Sequence, residues 1–310
     1  MDIINGIFRL QDKYREISIA LGTFDGVHLG HRKIIQRVVE SARLQQGTSV
    51  VFTFDPHPRM VLKPDLPLPM ITTLAEKREI MAELGVDVFF TLPFQHEFAR
   101  LSPEEFVRHI LVEYVRPGLV VVGPNYTFGH RGKGTPETLR KLGRQYGFLV
   151  IIEDPVFTGG QMVSSTLIRK MINRGEIGEA NKLLARYFTM SGQVVSGDRR
   201  GRELGFPTAN VAFSSTALLP ADGVYAVKAV LNGRQYPGVA NIGANPTFKV
   251  GERRLEVHIL DFCADIYEQS LTVQFVQRIR NVRAFVRVDE LISQIARDIA
   301  SARNILAKHT

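Results

Sequence analysis

The chain has 310 residues, 45% hydrophobic and 23% charged, a balance that excludes disorder and collagen-like or mucin-like repeats and suits two domains or one large one. Its one cysteine, Cys263, excludes an internal disulfide and a Cys-rich zinc site and fits a reducing, cytoplasmic compartment; the opening MDIINGIFRLQDKYREISIA has no apolar core of a signal peptide, and no apolar run approaches the ~18 residues of a membrane span. A net charge of +8 with a pI of about 9.7 points to anionic partners, without choosing between nucleic acid, anionic lipid and phosphorylated small molecules.

In chain order, residues 16–24 form an apolar, partly alternating run that stops at a Gly-rich turn. Ile34, Ile35, Val38, Val39 and Ala42 follow at helical spacing. Residues 49–54, SVVFTF, are β-branched and aromatic and predict a strand. A Pro-rich loop, DPHPRMVLKPDLPLP, leads to a helix over 74–84 and a strand over 86–91. Ser102-Pro103-Glu104-Glu105 is a capping box with Pro at the first helical position, opening a helix to about Tyr114. Residues 119–122 predict a buried strand, Thr135-Pro136 starts a helix that Gly147 ends, and 148–152 is the next strand. This order argues for a parallel sheet with helices on both faces and ligands beyond the carboxyl ends of its strands.

From Phe188 to about Phe275 the period becomes two, broken by Gly, Pro and Asn turns. Asn232-Gly233, between VYAVKAVL and RQYPGVAN, is a hairpin signal. In LEVHILDF, Leu255, Val257 and Ile259 alternate with Glu256 and His258. A small antiparallel barrel or sandwich is expected, closed by a helix with Val288, Leu291, Ile292, Ile295 and Ile299 on one face. The helical stretch 165–186 is expected to bridge the halves, giving domains 1–186 and 187–310.

The strongest local signal is Gly22-Thr23-Phe24-Asp25-Gly26-Val27-His28-Leu29-Gly30-His31, which follows a strand and opens a helix. Gly26 and Gly30 let the backbone approach a ligand closely, and the helix start presents N–H groups and partial positive charge. With His28 and His31 at the same end, the segment reads as a phosphate cradle whose imidazoles donate to developing phosphoryl charge. No Gly-Lys-Ser/Thr follows, so it is not a Walker A loop. Two other readings stay open: histidines that only cap the helix, and a zinc pair with His57 as third ligand. In the second half, Gly201-Arg202-Glu203-Leu204-Gly205-Phe206-Pro207-Thr208-Ala209-Asn210 is a Gly-rich loop running into a strand. A Thr beside an Asn can give oxygens to Mg²⁺ while glycines wrap phosphate, although Pro-Thr-Ala-Asn alone is only a turn signal. Glu256 is either a general base or a solvent-facing residue of an alternating strand.

His28-Leu29-Gly30-His31 after a first strand resembles the nucleotidylyltransferase superfamily, in a short pattern shared with class I aminoacyl-tRNA synthetases. The longer set narrows the resemblance. Gly22 to His31, Thr53-Phe54-Asp55-Pro56-His57-Pro58-Arg59, Gly123-Pro124-Asn125-Tyr126-Thr127-Phe128-Gly129 and Ser164-Ser165-Thr166-Leu167-Ile168-Arg169 resemble the FMN adenylyltransferase module of the bacterial bifunctional riboflavin kinase/FAD synthetase family. Gly201 to Asn210, Gly223-Val224-Tyr225-Ala226-Val227, Gly238 to Gly243 with Asn245-Pro246-Thr247, and Leu255-Glu256-Val257-His258 resemble its riboflavin kinase module. The resemblance covers essentially the whole chain, in the family's order.

This resemblance implies an N-terminal nucleotidylyltransferase-type, Rossmann-like α/β domain with a parallel sheet, and a C-terminal small antiparallel β-barrel with a terminal helix. It implies that His28 and His31 hold a triphosphate and stabilise the transition state. Gly22, Phe24, Asp25, Gly26 and Gly30 would form the loop, and Ser164, Ser165, Thr166 and Arg169 a second phosphate-binding segment. By composition alone, Ser164-Ser165 also reads as an ordinary N-cap. Phe54, Pro56, His57, Pro58, Asn125 and Phe128 would form or frame the flavin side of the cleft. Asn125 sits where many members carry Asp, so a negative charge is excluded there. In the second module Thr208 and Asn210 would hold Mg²⁺, Gly201, Arg202 and Gly205 would line the phosphates, and Glu256 would be the general base for the ribityl 5′-hydroxyl.

The implied reactions are riboflavin and ATP to FMN and ADP in the barrel, then FMN and a second ATP to FAD and pyrophosphate in the α/β domain. Mg²⁺ is expected with ATP in both, and no nucleic-acid or membrane partner is expected. Two readings compete. One is a single adenylylating enzyme whose barrel only binds substrate. The other is a basic nucleic-acid-binding protein with an OB-like barrel, which explains the charge but not the histidine pair.

Overall fold

The computed structural model describes residues 1–66, 68–197, 201, 204–243 and 253–309, with residue 244 by its backbone alone. Contacts divide the chain into two compact units, Met1–Ser165 and Thr166–Thr310.

In the first unit the strands are β1 Asp2–Asn5, β2 Ile17–Leu21, β3 Thr48–Phe54, β4 Val88–Leu92, β5 Leu119–Val122 and β6 Leu149–Ile152. They form one parallel sheet in the order β1-β4-β3-β2-β5-β6. The helices between them are α1 Leu29–Leu44, α2 Pro58–Leu62, α3 Leu74–Glu83, α4 Pro103–Phe106 and α5 Pro136–Tyr146. Strands β2, β4 and β5 are buried along their whole length, so alternation there separates two cores rather than core from water. One face carries Ile19, Leu21, Phe52 and Phe90 against Phe106, Ile110, Leu111 and Leu139. The other carries Ala20, Val51, Phe89 and Val121 against Ile34, Ile35 and Val38 of α1 and Ile80 and Met81 of α3.

Ser102 closes the expected capping box: its Oγ accepts from Glu105 N–H at 3.2 Å and the Glu105 carboxylate accepts from Ser102 N–H at 2.7 Å. Thr73 and Glu76 form the same box on α3. Past Phe106 the helix widens into π-helical turns over Val107–Val115. Strand β1 has no counterpart among the expected elements. It is a four-residue edge strand with no fully buried residue, paired from Asp2↔Val88 to Asn5↔Thr91 with Ile4 against the core, too short a pattern to read from sequence.

The sheet changes direction between β2 and β5: β3 and β4 build outward on one side of β2, β5 and β6 on the other. The loops after β2 and β5 therefore leave from adjacent carboxyl ends, the place where open α/β sheets bind ligands. A small hairpin, β7 Phe157–Thr158 with β8 Gln161–Met162, precedes helix α6 Ser165–Arg174.

In the second unit, α6 and α7 Ile177–Leu184 occupy the expected helical stretch. Strands β9 Phe188–Val195, β10 Ala209–Ala212, β11 Gly223–Leu231, β12 Arg234–Ala244, β13 Arg253–Ile259 and β14 Ser270–Arg280 follow. They close into a barrel, β10-β13-β12-β11-β14-β9, which settles barrel over sandwich. Asn232 (φ 49) and Gly233 (φ 75) form the expected hairpin turn between Leu231 and Arg234; two positive φ values are what a type I′ turn requires. Phe188 and Tyr225 pack on Phe275 at 5.8 and 5.4 Å between ring centroids. Leu255, Val257 and Ile259 are buried while Arg254, Glu256 and His258 are partly exposed on the opposite face.

Helix α8, Val288–Ala307, lies on the outer barrel wall, and of its expected face Leu291, Ile295 and Ile299 turn toward the barrel whereas Val288 and Ile292 do not. Ala302, Ile305 and Leu306 pack on Ala226, Val239, Val276 and Ile279. Val288 is 61% and Ile292 37% exposed, whereas Asp298 is 3% exposed. The expected stripe runs on from Leu291, Ile295 and Ile299 to Ala302 and Leu306, with the paired Asp298 carboxylate buried on the same side. No helix among the described residues is long and apolar enough to cross a membrane.

Candidate active sites

In the first unit the chain leaves β2 at Gly22 and reaches α1 through a constrained turn. Phe24 (φ 47), Gly26 (φ 86) and Val27 (φ 42) all lie in the left-handed region. For Phe and β-branched Val this costs roughly 1–3 kcal/mol each and persists only where the surroundings over-determine it. Several contacts do so here. The buried Asp25 carboxylate accepts from Ile71 N–H at 3.1 Å and from Thr72 N–H and Oγ1 at 3.2 Å each. Gly26 N–H donates to Thr72 Oγ1 at 3.0 Å. The Thr23 carbonyl accepts from Lys77 Nζ at 2.7 Å and from Thr53 Oγ1 at 3.3 Å. Ser165 Oγ donates to the Asp25 carbonyl at 2.9 Å, linking the second phosphate-type segment to the first.

His28 is the N-cap of α1, its Nδ1 accepting from His31 N–H at 3.3 Å. The two imidazoles stack, with centroids 3.6 Å apart and planes 17° from parallel. A Cβ on Gly30 would sit 3.3 Å from the His28 ring, so a side chain there would press on the imidazole. Both rings are held neutral. Burial pushes His28 down to about 4, against an upward pull from Asp25. Burial, with smaller contributions from the His28 and Lys77 charges, holds His31 well below the ordinary imidazole range. With Nδ1 accepting, neutral His28 carries its proton on Nε2 and can donate from there. The buried His31 Nδ1 has no hydrogen-bond partner. Capping and phosphate binding are thus compatible: one nitrogen of His28 serves the helix and the other is left for an anion at the helix start.

Phe54 ends β3 among Phe52, Phe94 and Phe98, at centroid distances of 5.0, 5.1 and 4.9 Å. The Asp55–Pro56 peptide is cis. His57 caps α2, its Nδ1 accepting from Arg59 N–H at 3.1 Å, with Pro58 in the first helical turn. Asn125 is exposed on the loop after β5, its Nδ2 3.9 Å from Met162 Sδ. Phe128, 6% exposed, packs on Phe106 and Tyr126, so it shapes that loop from the core side. Ser164 and Ser165 stand at the start of α6, and Thr166 and Arg169 continue the helix within the second unit's share of the chain. Among the described residues no group of three or more His, Cys, Asp and Glu could hold a metal ion.

In the second unit, cross-strand register sets Asn210 beside Glu256 and Glu256 beside Asn241. All three face a cavity of about 390 Å³ between the barrel wall and α8. Gly201, Phe206 and Thr208 line it on one side, and Arg254, Arg280, Arg283, Leu291, Ile295 and Ile299 elsewhere. Asn210 Oδ1 is buried without a hydrogen-bond partner. Gly201 holds its loop by accepting from Phe206 N–H at 2.7 Å, and Gly205 (φ 86) sits in the turn between. His258, given no role from sequence, has Nδ1 2.7 Å from the Pro207 carbonyl and supports the same loop. Asp298 accepts from Arg280 at 2.8–3.0 Å and from Gln294 Nε2 at 2.8 Å, tying α8 to β14 at the cavity wall. Arg202 lies outside the described residues, as do Arg199, Arg200 and Asn245-Pro246-Thr247.

Three polar residues at these sites were not singled out from sequence. Lys77 is 4% exposed; burial pushes its ammonium group down while Asp25 and Asp55 pull it back up. Its signal was present, since Leu74, Lys77, Met81 and Leu84 share one helical stripe. Asp298 interrupts the stripe of α8 in the same way. Asn241 owes its place to register, which one strand read alone does not show.

The two architectures and their sites define a class: an enzyme with one nucleotidyl-transfer module and one phosphoryl-transfer module. Residues 10–167 match the family model for FAD synthetase, and residues 184–306 that for riboflavin kinase. The chain is 38% identical over 305 residues to a bifunctional riboflavin kinase/FMN adenylyltransferase of Escherichia coli K12, covering 98% of this chain and 97% of that one. It is 40% identical to the protein of that name from Listeria monocytogenes serovar 1/2a, covering 96% and 95%, and 36% to that of Bacillus subtilis strain 168, covering 93% and 92%. A crystal structure from Streptococcus pneumoniae, described as a macrolide-efflux protein, superposes with a TM-score of 0.87 at 35% identity, covering 98% and 99%; efflux is said of that protein alone. This chain belongs to the bifunctional riboflavin kinase/FMN adenylyltransferase family.

Proposed function

We propose that the two activities of the chain are divided between its halves, adenylyl transfer in residues 1–186 and riboflavin phosphorylation in residues 187–310. The chain is a riboflavin kinase and an FMN adenylyltransferase, with ATP and flavins as its substrates and products. The observation that carries the division is that the His28–His31 pair and the Asn210–Glu256 pair belong to different compact units of different architecture. The boundary at 186 is drawn from the sequence, where the motif Ser164 to Arg169 resembles part of the adenylyltransferase module.

In the barrel, Glu256 takes the proton of the ribityl 5′-hydroxyl as that oxygen bonds to the γ-phosphorus of ATP and the bond to ADP breaks. The donor set beside it fits a hard cation: Thr208 and Asn210 offer neutral oxygens, and the buried Asn210 Oδ1 lacks a partner among the described residues. Mg²⁺, when bound there, offsets charge on the ATP phosphates. Thr208 and Asn210 would hold it, and the loop around Gly201 and Gly205 would wrap the phosphates. Leu291, Ile295 and Ile299 of α8 supply the apolar wall for the flavin ring.

In the α/β domain a phosphate oxygen of FMN attacks the α-phosphorus of ATP, and the bond to pyrophosphate breaks. No covalent enzyme intermediate is needed, so catalysis is positioning and charge stabilisation. His28 and His31, neutral and pre-stacked, donate to the triphosphate at the start of α1. The hydroxyls of Ser164 and Ser165, the last residues of the same unit, meet the phosphates, and Asn125, Phe54, Pro56 and His57 border the flavin.

Separation of products from riboflavin, ATP and Mg²⁺ tests the division. His31→Ala should accumulate FMN and lower FAD formation by about 10²- to 10³-fold, the loss typical of a missing transition-state donor. Glu256→Ala should make FAD only when FMN is supplied. If each folded variant loses both activities, the division is wrong.

A further inference from the structure

We propose that Lys77 is a positioning residue for adenylyl transfer: by holding the Thr23 carbonyl from behind, it sets the left-handed turn that aims His28 and His31 at the triphosphate. This rests on the assignment of the histidine pair to that step. The mechanism above makes no use of Lys77, yet burying an ammonium group is costly unless its charge and donors are matched. The matching is specific here. Lys77 Nζ donates at 2.7 Å to the Thr23 carbonyl, one residue before the first left-handed position, Phe24.

The rest of the α3 entry grips the same turn. Ile71 and Thr72 N–H groups hold the Asp25 carboxylate, and Thr72 Oγ1 takes Gly26 N–H. Thr73 and Glu76 lock the start of α3 by a reciprocal cap, so Lys77 projects from a rigid base. Residues 23, 25 and 26 are thereby pinned to one short stretch, 71–77, immediately before the His28 cap. The charged and titratable groups acting on Lys77 are Asp25 and Asp55, which stabilise its cation. In turn its charge falls on His31 and, with burial and His28, helps keep that ring neutral. Thr53 Oγ1 alone, at 3.3 Å, would be left on the Thr23 carbonyl if Lys77 were removed. A turn free to relax there would carry the imidazoles with it, and displacements of about 1 Å near reacting groups cost about 100-fold in rate.

The test uses the full chain, supplied with FMN and ATP for one assay and riboflavin and ATP for the other. Lys77→Met should lower kcat for FAD formation by about 10- to 100-fold while riboflavin phosphorylation on the same preparation stays at the parental rate. Lys77→Gln keeps an N–H donor for Thr23 and should recover part of that loss. In histidine-labelled protein followed by NMR, the His31 titration should move upward in Lys77→Met. An FAD-forming rate unchanged in Lys77→Met, or equal losses in both variants with His31 unmoved, would overturn the proposal. Should Lys77→Met fail to fold, shown by loss of riboflavin phosphorylation as well, Lys77→Gln is read alone. A reduced kcat with His31 displaced then supports the proposal, and parental values of both overturn it. His31→Ala is assayed alongside. If it leaves FAD formation intact, the histidine assignment fails; if it abolishes FAD formation while the Lys77 variants match the parent, only the role of Lys77 fails.

Discussion

His28 serves two partners with one ring, and its protonation has a measurable consequence. Unfolded, it protonates at its ordinary 6.5; folded, only near 4. Between those values the unfolded chain binds more protons, so the folded state is fully favoured above pH 6.5 and loses stability as pH falls toward 4, by at most about 3 kcal/mol. His28→Asn keeps a capping oxygen but does not titrate. It should lessen the pH dependence of unfolding of the first unit in this window, leaving the share of the likewise depressed His31, read by denaturant titrations at stepped pH; an unchanged slope would show that His28 does not contribute. At this scale the histidine pair stands out by its own Gly-rich turn and helix start, whereas Asn210 and Glu256 stand out only through the family resemblance, since each alone reads as a turn or an alternating strand position. Lys77 was passed over although it shares a stripe with Leu74, Met81 and Leu84, because a lone lysine among apolar residues does not reveal which buried carbonyl it serves.

Among the elements, α8 and α3 act through single polar anchors. The Asp298 carboxylate, gripped by Arg280 and Gln294, fastens α8 to the barrel where Leu291, Ile295 and Ile299 line the cavity. Asp298→Asn leaves the partly buried Arg280 guanidinium without its charge partner, which costs at most the roughly 3–5 kcal/mol of a fully buried pair. The expected result is a lower unfolding midpoint for the second unit and a raised KM for riboflavin, with FAD formation from supplied FMN unaffected. Thr73→Ala removes one half of the cap on α3 and should cost about 1 kcal/mol, measured by thermal unfolding. Most elements were readable from periodicity and capping: α1, β3, α5 and the Asn232-Gly233 hairpin lie where the residues put them. Strand β1 was not, because pairing with β4 rather than its own pattern makes it a strand. The barrel-facing stripe of α8 was legible at Leu291, Ile295 and Ile299, whereas Val288 and Ile292 count as apolar whether or not they are covered.

For the molecule as a whole, two sites in two compact units imply that one damaged site does not spoil the other. His31→Ala and Glu256→Ala proteins, each unable to convert riboflavin to FAD, should regain that conversion when mixed, because FMN released by the first feeds the second. No recovery at any mixing ratio would mean that FMN does not pass through solution. The order of the modules was legible because the period changes from helical spacing to two near Tyr187, whereas the packing of α8 over the barrel wall depends on Arg280 and Asp298, 18 residues apart.

The outward placement of Glu256, with Leu255 and Val257 turned inward, gives the barrel two independent design surfaces. An engineer seeking thermotolerance can refill the oily inside of the staves. One seeking to accept unnatural flavin analogues can recarve the outer skin beneath α8, and neither exercise need disturb the other.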